Sequence, residues 1–329
     1  MTVVIYAIIS LGLLGLIYGL ILAFASKKFY VKVDPKIEEI EEVLPNANCG
    51  ACGYPGCAGY AEAIVKNGDE INKCAPGGEK VIKKIAEIMG LKATASERKI
   101  AVIHCQSGGY DNTNLRYDYQ GIKTCKAAVL VSGGPNLCNY GCVSLNDCVR
   151  ACQFDALHVD ENGMRIVDEE KCTGCGACAR ACPRNLIEMV PISKKVHILC
   201  SSHDKGAVAK KVCGSKTPCI GCGLCAKACP VDAIEIKDNL AKIIYDKCIV
   251  CGECAKVCPT NAIEDQLLGK RKKAFIIEEN CIGCTLCAKK CPVDAISGEL
   301  KKVHKVDPEK CIGCELCVAV CPKNTIEMR

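Results

Sequence analysis

Five runs of cysteine share one spacing, C-x2-C-x2-C-x3-C, each closed by a proline. They are Cys172/Cys175/Cys178/Cys182, Cys219/Cys222/Cys225/Cys229, Cys248/Cys251/Cys254/Cys258, Cys281/Cys284/Cys287/Cys291 and Cys311/Cys314/Cys317/Cys321, followed by Pro183, Pro230, Pro259, Pro292 and Pro322. Such a spacing suits a [4Fe–4S] cubane: three thiolates of a run hold one cluster and the fourth reaches across to a second. Small residues between the cysteines let three sulfurs converge on one face, and the proline keeps the chain from continuing as a regular helix. One C-x2-C alone is weak evidence; five full copies are specific.

A sixth, stretched copy precedes them, Cys138-x3-Cys142-x5-Cys148-x3-Cys152, with Gln153 where proline is expected. It continues as Phe154-Asp155-Ala156-Leu157, mirroring Val231-Asp232-Ala233-Ile234 and Val293-Asp294-Ala295-Ile296 after other fourth cysteines. Six halves pair as three two-cluster ferredoxin domains. The expected crossing sets Cys138/Cys142/Cys148 with Cys182, Cys172/Cys175/Cys178 with Cys152, Cys219/Cys222/Cys225 with Cys258, and Cys248/Cys251/Cys254 with Cys229. In the last domain Cys281/Cys284/Cys287 join Cys321, and Cys311/Cys314/Cys317 join Cys291.

Two further sets stand outside the runs. Cys49, Cys52, Cys57 and Cys74, with Gly50, Gly53, Gly56 and Gly59 among them, read as one complete single-cluster site, with zinc as the alternative. Cys105, Cys125, Cys200 and Cys213 flank the first ferredoxin domain. Ala101–Cys105 and Lys195–Cys200 look alike, each an apolar strand ending in cysteine, and Lys123-Thr124-Cys125 and Lys211-Val212-Cys213 follow them. These four either complete an eighth site, where the domain's two ends meet, or are plain buried or free cysteines.

Across the whole chain, 32 cysteines in 329 residues would suggest disulfides if the protein were short and secreted. Here the length and spacing belong to metal sites, which need thiolates in a reducing space. With four Phe, ten Tyr and no Trp, conventional cores are thin, so ligation should supply much of the folding free energy. The formal charge of +6 counts thiolates as neutral. Eight four-thiolate cubanes at about −2 each would leave the loaded chain near −10. A nucleic-acid partner is therefore not implied by the basic balance.

The elements that must carry these sites are partly legible. Residues 1–26 hold no charged side chain and are long enough to span a bilayer as one helix. A cleaved signal peptide is the alternative, but no positive residue precedes the stretch. Lys27, Lys28 and Lys32 follow, placing the cysteines on the cytoplasmic side of the inner (cytoplasmic) membrane in a single pass. Gly12, Gly15 and Gly19 give a smooth face for a partner helix, or are ordinary glycine tolerance. Amphipathic helices are expected over 34–44 and 79–89, with a helix over 58–66 and a polar linker at 92–97. Strands are expected at 100–104, and at 234–236 and 243–245 around a turn at Asp238-Asn239.

Several chemistries have no signature here: no G-x-G-x-x-G after a strand, no G-x-x-x-x-G-K-[ST], no C-x-x-C-H. His104, His158, His197, His203 and His304 lack ligand spacing and read as packing or surface residues. The run Gly269-Lys270-Arg271-Lys272-Lys273 reads as a solvated linker, or as help in docking an acidic ferredoxin.

The layout as a whole closely resembles the B subunit of Rnf complexes. The discriminating part is Asn48-Cys49-Gly50-Ala51-Cys52-Gly53-Tyr54-Pro55-Gly56-Cys57 with its distant Cys74, joined to the anchor. The resemblance implies an α+β chain of five parts: an anchor at 1–28, a single-cluster helical domain at 29–97, and ferredoxin domains at 98–217, 218–268 and 269–329. It also implies an electron-transfer subunit of an ion-translocating ferredoxin:NAD+ oxidoreductase, fed by soluble ferredoxin, with flavins, NAD site and ion path in other subunits. Gln153 departs from the plain pattern. The rival readings are a polyferredoxin subunit of a hydrogenase- or formate-dehydrogenase-type complex, or an iron–sulfur redox sensor.

Overall fold

The computed structural model describes residues 2–29, 34–92, 97–107 and 114–329. Lys32, most of the polar linker (93–96) and Met1 lie outside the described residues.

Helix α1 (Thr2–Lys28) is unbroken, because its residues are apolar on every side and no proline interrupts them. Its 27 residues extend about 40 Å at 1.5 Å per residue, more than the roughly 30 Å of a bilayer's hydrocarbon. Ile8–Lys28 has a mean hydropathy of 2.4 and none of it is buried within the protein. Lys27 and Lys28 sit in its last turn, where cations favour the negative end of the helix dipole.

Three helices follow: α2 (Pro35–Val43), α3 (Cys57–Asn67) and α4 (Gly78–Met89). Asp34 caps α2 by accepting from the Lys36 amide at 3.0 Å, and Pro35 opens the first turn, where its missing N–H costs nothing. Gly68 and Gly90 close α3 and α4 in the left-handed conformation, at φ of 66° and 67°. The inner faces bury Ile37, Ile40, Tyr60, Ile64, Ile82 and Ile85 together with Cys74. Tyr60 ties the core to the last ligand loop: its hydroxyl donates to Glu70 O at 2.8 Å and accepts from the Lys73 amide at 3.1 Å.

Beyond residue 97 the chain repeats one plan three times. In unit 1 the outer strands β1 (Lys99–Ile103) and β4 (Ile187–Pro191) pair antiparallel, and β2 (Leu157–Val159) with β3 (Arg165–Val167) forms an inner hairpin. Unit 2 pairs β5 (Val196–Ile198) with β8 (Ile263–Asp265), and β6 (Ile234–Lys237) with β7 (Leu240–Ile243). Unit 3 pairs β9 (Ala274–Ile276) with β12 (Ile326–Met328), and β10 (Ile296–Ser297) with β11 (Lys305–Val306). The turn between β6 and β7 has Asp238 and Asn239 at φ of 49° and 63°, the double left-handed geometry of a tight hairpin. Two short helices lie between the strand pairs of each unit: α6 (Asp147–Arg150) and α7 (Ala177–Ala181), α9 (Leu224–Lys227) and α10 (Glu253–Lys256), α11 (Leu286–Lys290) and α12 (Leu316–Ala319). Every one carries a third-position cysteine as its second residue: Cys148, Cys178, Cys225, Cys254, Cys287 and Cys317.

The strand pairing redraws one boundary. Val196–Ile198 was expected within 98–217, yet it pairs with Ile263–Asp265 and packs in the core of unit 2. The likeness of Ala101–Cys105 to Lys195–Cys200 now has a reason, since each is the opening outer strand of its own ferredoxin unit.

The basic run at 269–273 is not a free linker. Arg271 makes two bonds to the Asp265 carboxylate, at 2.6 and 2.7 Å, with the two side chains 12% and 2% exposed. It also donates to Val250 O at 3.1 and 2.9 Å. Val250 has φ of 57°, a costly conformation for a β-branched residue, and the guanidinium pins it there. Arg271→Ala is expected to destabilise unit 2 by about 3–5 kcal/mol, because it leaves a buried carboxylate unpaired. Anaerobic thermal unfolding of the loaded protein checks this; Arg271→Lys should recover only part of the loss.

Candidate metal centres

Each fourth cysteine is held by the same local device. Three residues beyond it stands Asp or Asn in the left-handed conformation: Asp155, Asn185, Asp232, Asn261, Asp294 and Asn324, at φ of 49° to 53°. Asx side chains tolerate that geometry where most residues do not. The turn aims the next amide back at the sulfur. Ala156, Leu186, Ala233, Ala262, Ala295 and Thr325 donate N–H to Cys152, Cys182, Cys229, Cys258, Cys291 and Cys321 at 3.2–3.4 Å. Further amides reach other ligands, Ala101 to Cys172 and Ala241 to Cys219, both at 3.4 Å. The Cys152 turn is as regular as the others, so Gln153 in place of proline does not disturb it. Sequence reading missed the role of the Asx residue, although its six-fold recurrence was visible.

Four cavities of like size are each lined by four cysteines. Cys49, Cys52, Cys57 and Cys74 surround one of about 330 Å³. Cys152 lies with Cys172, Cys175 and Cys178 around about 350 Å³. Cys229 lies with Cys248, Cys251 and Cys254 around about 320 Å³, and Cys291 with Cys311, Cys314 and Cys317 around about 340 Å³. In these last three the odd member comes from the facing run. Among the described residues no three His, Cys, Asp or Glu converge on a single ion. The cavities are thiol-lined and mainly apolar, and a cubane fits that donor set.

In unit 2, Cys219, Cys225 and Cys258 pack in one core. In unit 3, Cys281 and Cys321 pack against the core that holds Cys287. Cys321 also has partners within its own turn. There the Thr325 hydroxyl lies 3.3 Å from the sulfur and the Thr325 amide donates at 3.4 Å. The other five turns carry Ala or Leu at this place, so the hydroxyl gives this sulfur one more polar partner. Closure of the Cys281/Cys284/Cys287 set by Cys321 is a proposal, as is cluster ligation at the other quartets.

The extra four cysteines do not line one cavity together. Cys105, Cys200 and Cys213 share one cavity of about 500 Å³, but its fourth cysteine is Cys138, which feels the charge of Cys213. Cys125 lies apart, at the start of α5 (Cys125–Leu130), packed with Ala128 and Val143. Its influence falls instead on Cys148, together with that of Cys142 and Cys182.

Burial pushes the Cys74 thiol up to about 11 and the Cys254 thiol up to about 12. They stay protonated until metal arrives, so loading a site must release protons. Glycine is required where the loops run close. A Cβ on Gly221, whose φ is 64°, would meet Asn239 O at 2.8 Å, so a side chain there would push the Cys219–Cys222 loop off the β6–β7 turn.

The units are wired together through their ligand loops. Arg180 donates to Cys175 O and to Cys49 O, both at 3.1 Å. One guanidinium thus spans unit 1 and the three-helix domain. Lys194 donates to Cys248 O at 2.6 Å, and Lys273 donates to Cys311 O. The histidines serve packing: His104 bonds Ile198 O at 2.7 Å and Glu188 at 3.1 Å, and His197 bonds the Tyr245 hydroxyl at 3.0 Å.

Six ferredoxin halves, a separate four-cysteine helical domain and a bilayer-length helix define an iron–sulfur electron-transfer protein. Models of the 4Fe-4S dicluster domain match residues 214–264 and 274–328, and 137–186, 171–233 and 247–295. The FeS model, an Fe-S cluster family, matches 44–76. The chain is 44% identical over 237 residues to the B subunit of the Na(+)-translocating ferredoxin:NAD(+) oxidoreductase complex of Acetobacterium woodii, covering 72% of this chain and 70% of that one. It is 44% identical to the B subunit of the ion-translocating oxidoreductase complex of Methanosarcina acetivorans, over 64% of this chain and 80% of that one. Its counterpart in the proton-translocating ferredoxin:NAD(+) oxidoreductase complex of Clostridium ljungdahlii is 40% identical, over 65% and 75%. The chain belongs to the B-subunit family of the ion-translocating Rnf oxidoreductase complexes.

Proposed function

We propose that this chain relays electrons from reduced ferredoxin, met at unit 3, to membrane partners beside the three-helix domain, through eight [4Fe–4S] sites. Such a cluster, when bound, takes up and passes on one electron without bond rearrangement. One electron leaves the donor and one reaches the acceptor, and no proton or group is transferred by this chain. Its residues hold potentials and spacing, and exclude water.

The observation that carries this reading is the unbroken succession of linked thiol groups. Arg180 joins Cys49 to Cys175. Within each unit a fourth cysteine lines the cavity of the facing run. Cys200 feels the charges of Cys219 and Cys213 at the junction of units 1 and 2. The 271–273 strap touches both the Val250 loop and, through Lys273, Cys311. The far end suits a docking protein: Ile282 and Leu286 are 52% and 46% exposed beside Cys281, Cys284 and Cys287. Lys289, Lys290, Lys301 and Lys302 are also exposed there and complement an acidic ferredoxin. At the other end α1 anchors the chain in the cytoplasmic membrane with the cysteines on the cytoplasmic face, in keeping with Lys27 and Lys28 at its end.

Carbodiimide cross-linking of ferredoxin to the anaerobic complex tests the entry point. Cross-links are expected on the unit 3 lysines. Cross-links confined to residues 34–92 would reverse the direction.

A further inference from the structure

We infer that Cys105, Cys138, Cys200 and Cys213 form one [4Fe–4S] site joining units 1 and 2, and that Cys125 takes Cys138's place beside Cys142, Cys148 and Cys182. The inference rests on the cluster-relay reading above and deepens it by assigning the two irregular sites.

The joining site draws two thiols from each unit. Cys105 ends the segment after β1, and Cys138 sits in a turn whose carbonyl accepts from Arg184 at 3.0 Å. Cys200 follows β5, and Cys213 follows α8 (Gly206–Val212). All four line one cavity, which neither Cys125 nor Cys142 lines. The two units are laced together around it. His104 bonds Ile198 O at 2.7 Å, Ser201 donates to His104 O at 3.0 Å, and Thr217 donates to Gln106 at 2.6 Å.

The sulfurs are prepared for negative charge. Cys105 accepts from the Cys142 amide at 3.3 Å and the Ser107 amide at 3.5 Å, Cys200 from the Ser202 amide at 3.5 Å, and Cys213 meets Ser215 Oγ at 3.2 Å. Gln106, Asn114, Ser202, Ser215 and Thr217 make this lining polar where the other cavities are apolar. Hydrogen bonding and polarity of this kind favour the more reduced, more negative state.

Cys125 is fastened beside Cys148 from both sides. Arg150 donates to Lys123 O at 3.2 Å, and the Lys126 amide donates to Asp147 at 3.1 Å. The residues flanking one cysteine thus bond those flanking the other. Helix α6, which carries Cys148, packs on α7, and Cys182 follows directly on α7. Cys142, Cys148 and Cys182 share one core. The exchange puts Cys125, at the start of α5, in the place that the regular runs give to their first cysteine. With it, all 32 cysteines fall into eight quartets with none left over.

Iron content of the anaerobically prepared complex separates the alternatives through paired substitutions. Cys138→Ser and Cys200→Ser should each remove about four irons per chain, and so should the double variant, because both strike one site. Cys125→Ser with Cys200→Ser should remove about eight. The reverse pattern, eight for the first pair and four for the second, overturns the assignment. So does iron unchanged in every single variant, which would mean that these thiols hold no cluster. If a substitution releases more iron than these two sites hold, a density map of the parent complex decides by whether Cys138 or Cys125 reaches the cluster between units 1 and 2. The relay reading survives either assignment and fails separately, through the cross-linking experiment.

Discussion

Cys52→Ala is expected to halt electron delivery to the membrane partners, down to the background rate, while ferredoxin still reduces units 1 to 3. The three-helix domain has one thiol quartet, around a single cavity lined by Cys49, Cys52, Cys57 and Cys74. Loss of one ligand leaves a cubane three-coordinate and exposed. Its helical core is built on Ile40, Tyr60, Ile64 and Ile85, with the half-buried Cys52 packed only at its edge, so the domain should persist. Rapid-freeze spectroscopy of the variant complex, mixed with reduced ferredoxin, reads both halves at once. Normal reduction of the partners would take this quartet off the path. A failure of ferredoxin to reduce the repeats, despite full loading, would mean that electrons enter at the membrane end.

Chelation of iron should unfold units 1 to 3 and spare the helices. The reason lies in what remains when the clusters go. Unit 3 has a core of Ala274, Ile276, Ala295, Ile296 and Ile326 plus three cysteines, Cys287, Cys311 and Cys317. Five small or medium side chains do not offset the backbone entropy of some fifty residues at about 1–2 kcal/mol each. Ligation has to contribute on the scale of about 10 kcal/mol that structural metal sites show. Far-UV circular dichroism should lose its strand component, and amide exchange in β1 to β12 should become fast. Persisting protection in those strands would show that the apolar contacts suffice alone.

Spacing made the regular sites legible because cluster geometry leaves little freedom over ten or eleven residues of chain. The anchor and the three helices were legible for a similar reason: continuous apolarity in α1, and 3.6-residue periodicity ending at Gly90 in α4. The hairpin at Asp238-Asn239 was legible because few residues accept two left-handed positions in succession. What the sequence did not disclose depends on contacts distant along the chain or on side chains that reach a sulfur. Val196–Ile198 could be placed only by its pairing with Ile263–Asp265. The proposed exchange of Cys125 for Cys138 rests on contacts such as the Arg150–Lys123 and Arg184–Cys138 hydrogen bonds, which no spacing rule anticipates. The Thr325 hydroxyl beside Cys321 is another contact that cysteine spacing does not announce. Arg271 looked like one more charge in a basic run, and its burial against Asp265 is a tertiary fact.

An anaerobic cryo-EM map of the whole complex with its lipid tests the relay most directly. It should contain eight compact cluster densities, one at each thiol quartet, in an unbroken line from Cys281/Cys284/Cys287/Cys321 to Cys49/Cys52/Cys57/Cys74. Helix α1 should lie in the bilayer, with the Cys49 quartet facing a membrane partner. A quartet without density that breaks the line, or a Cys49 quartet turned away from every membrane partner, would contradict the relay.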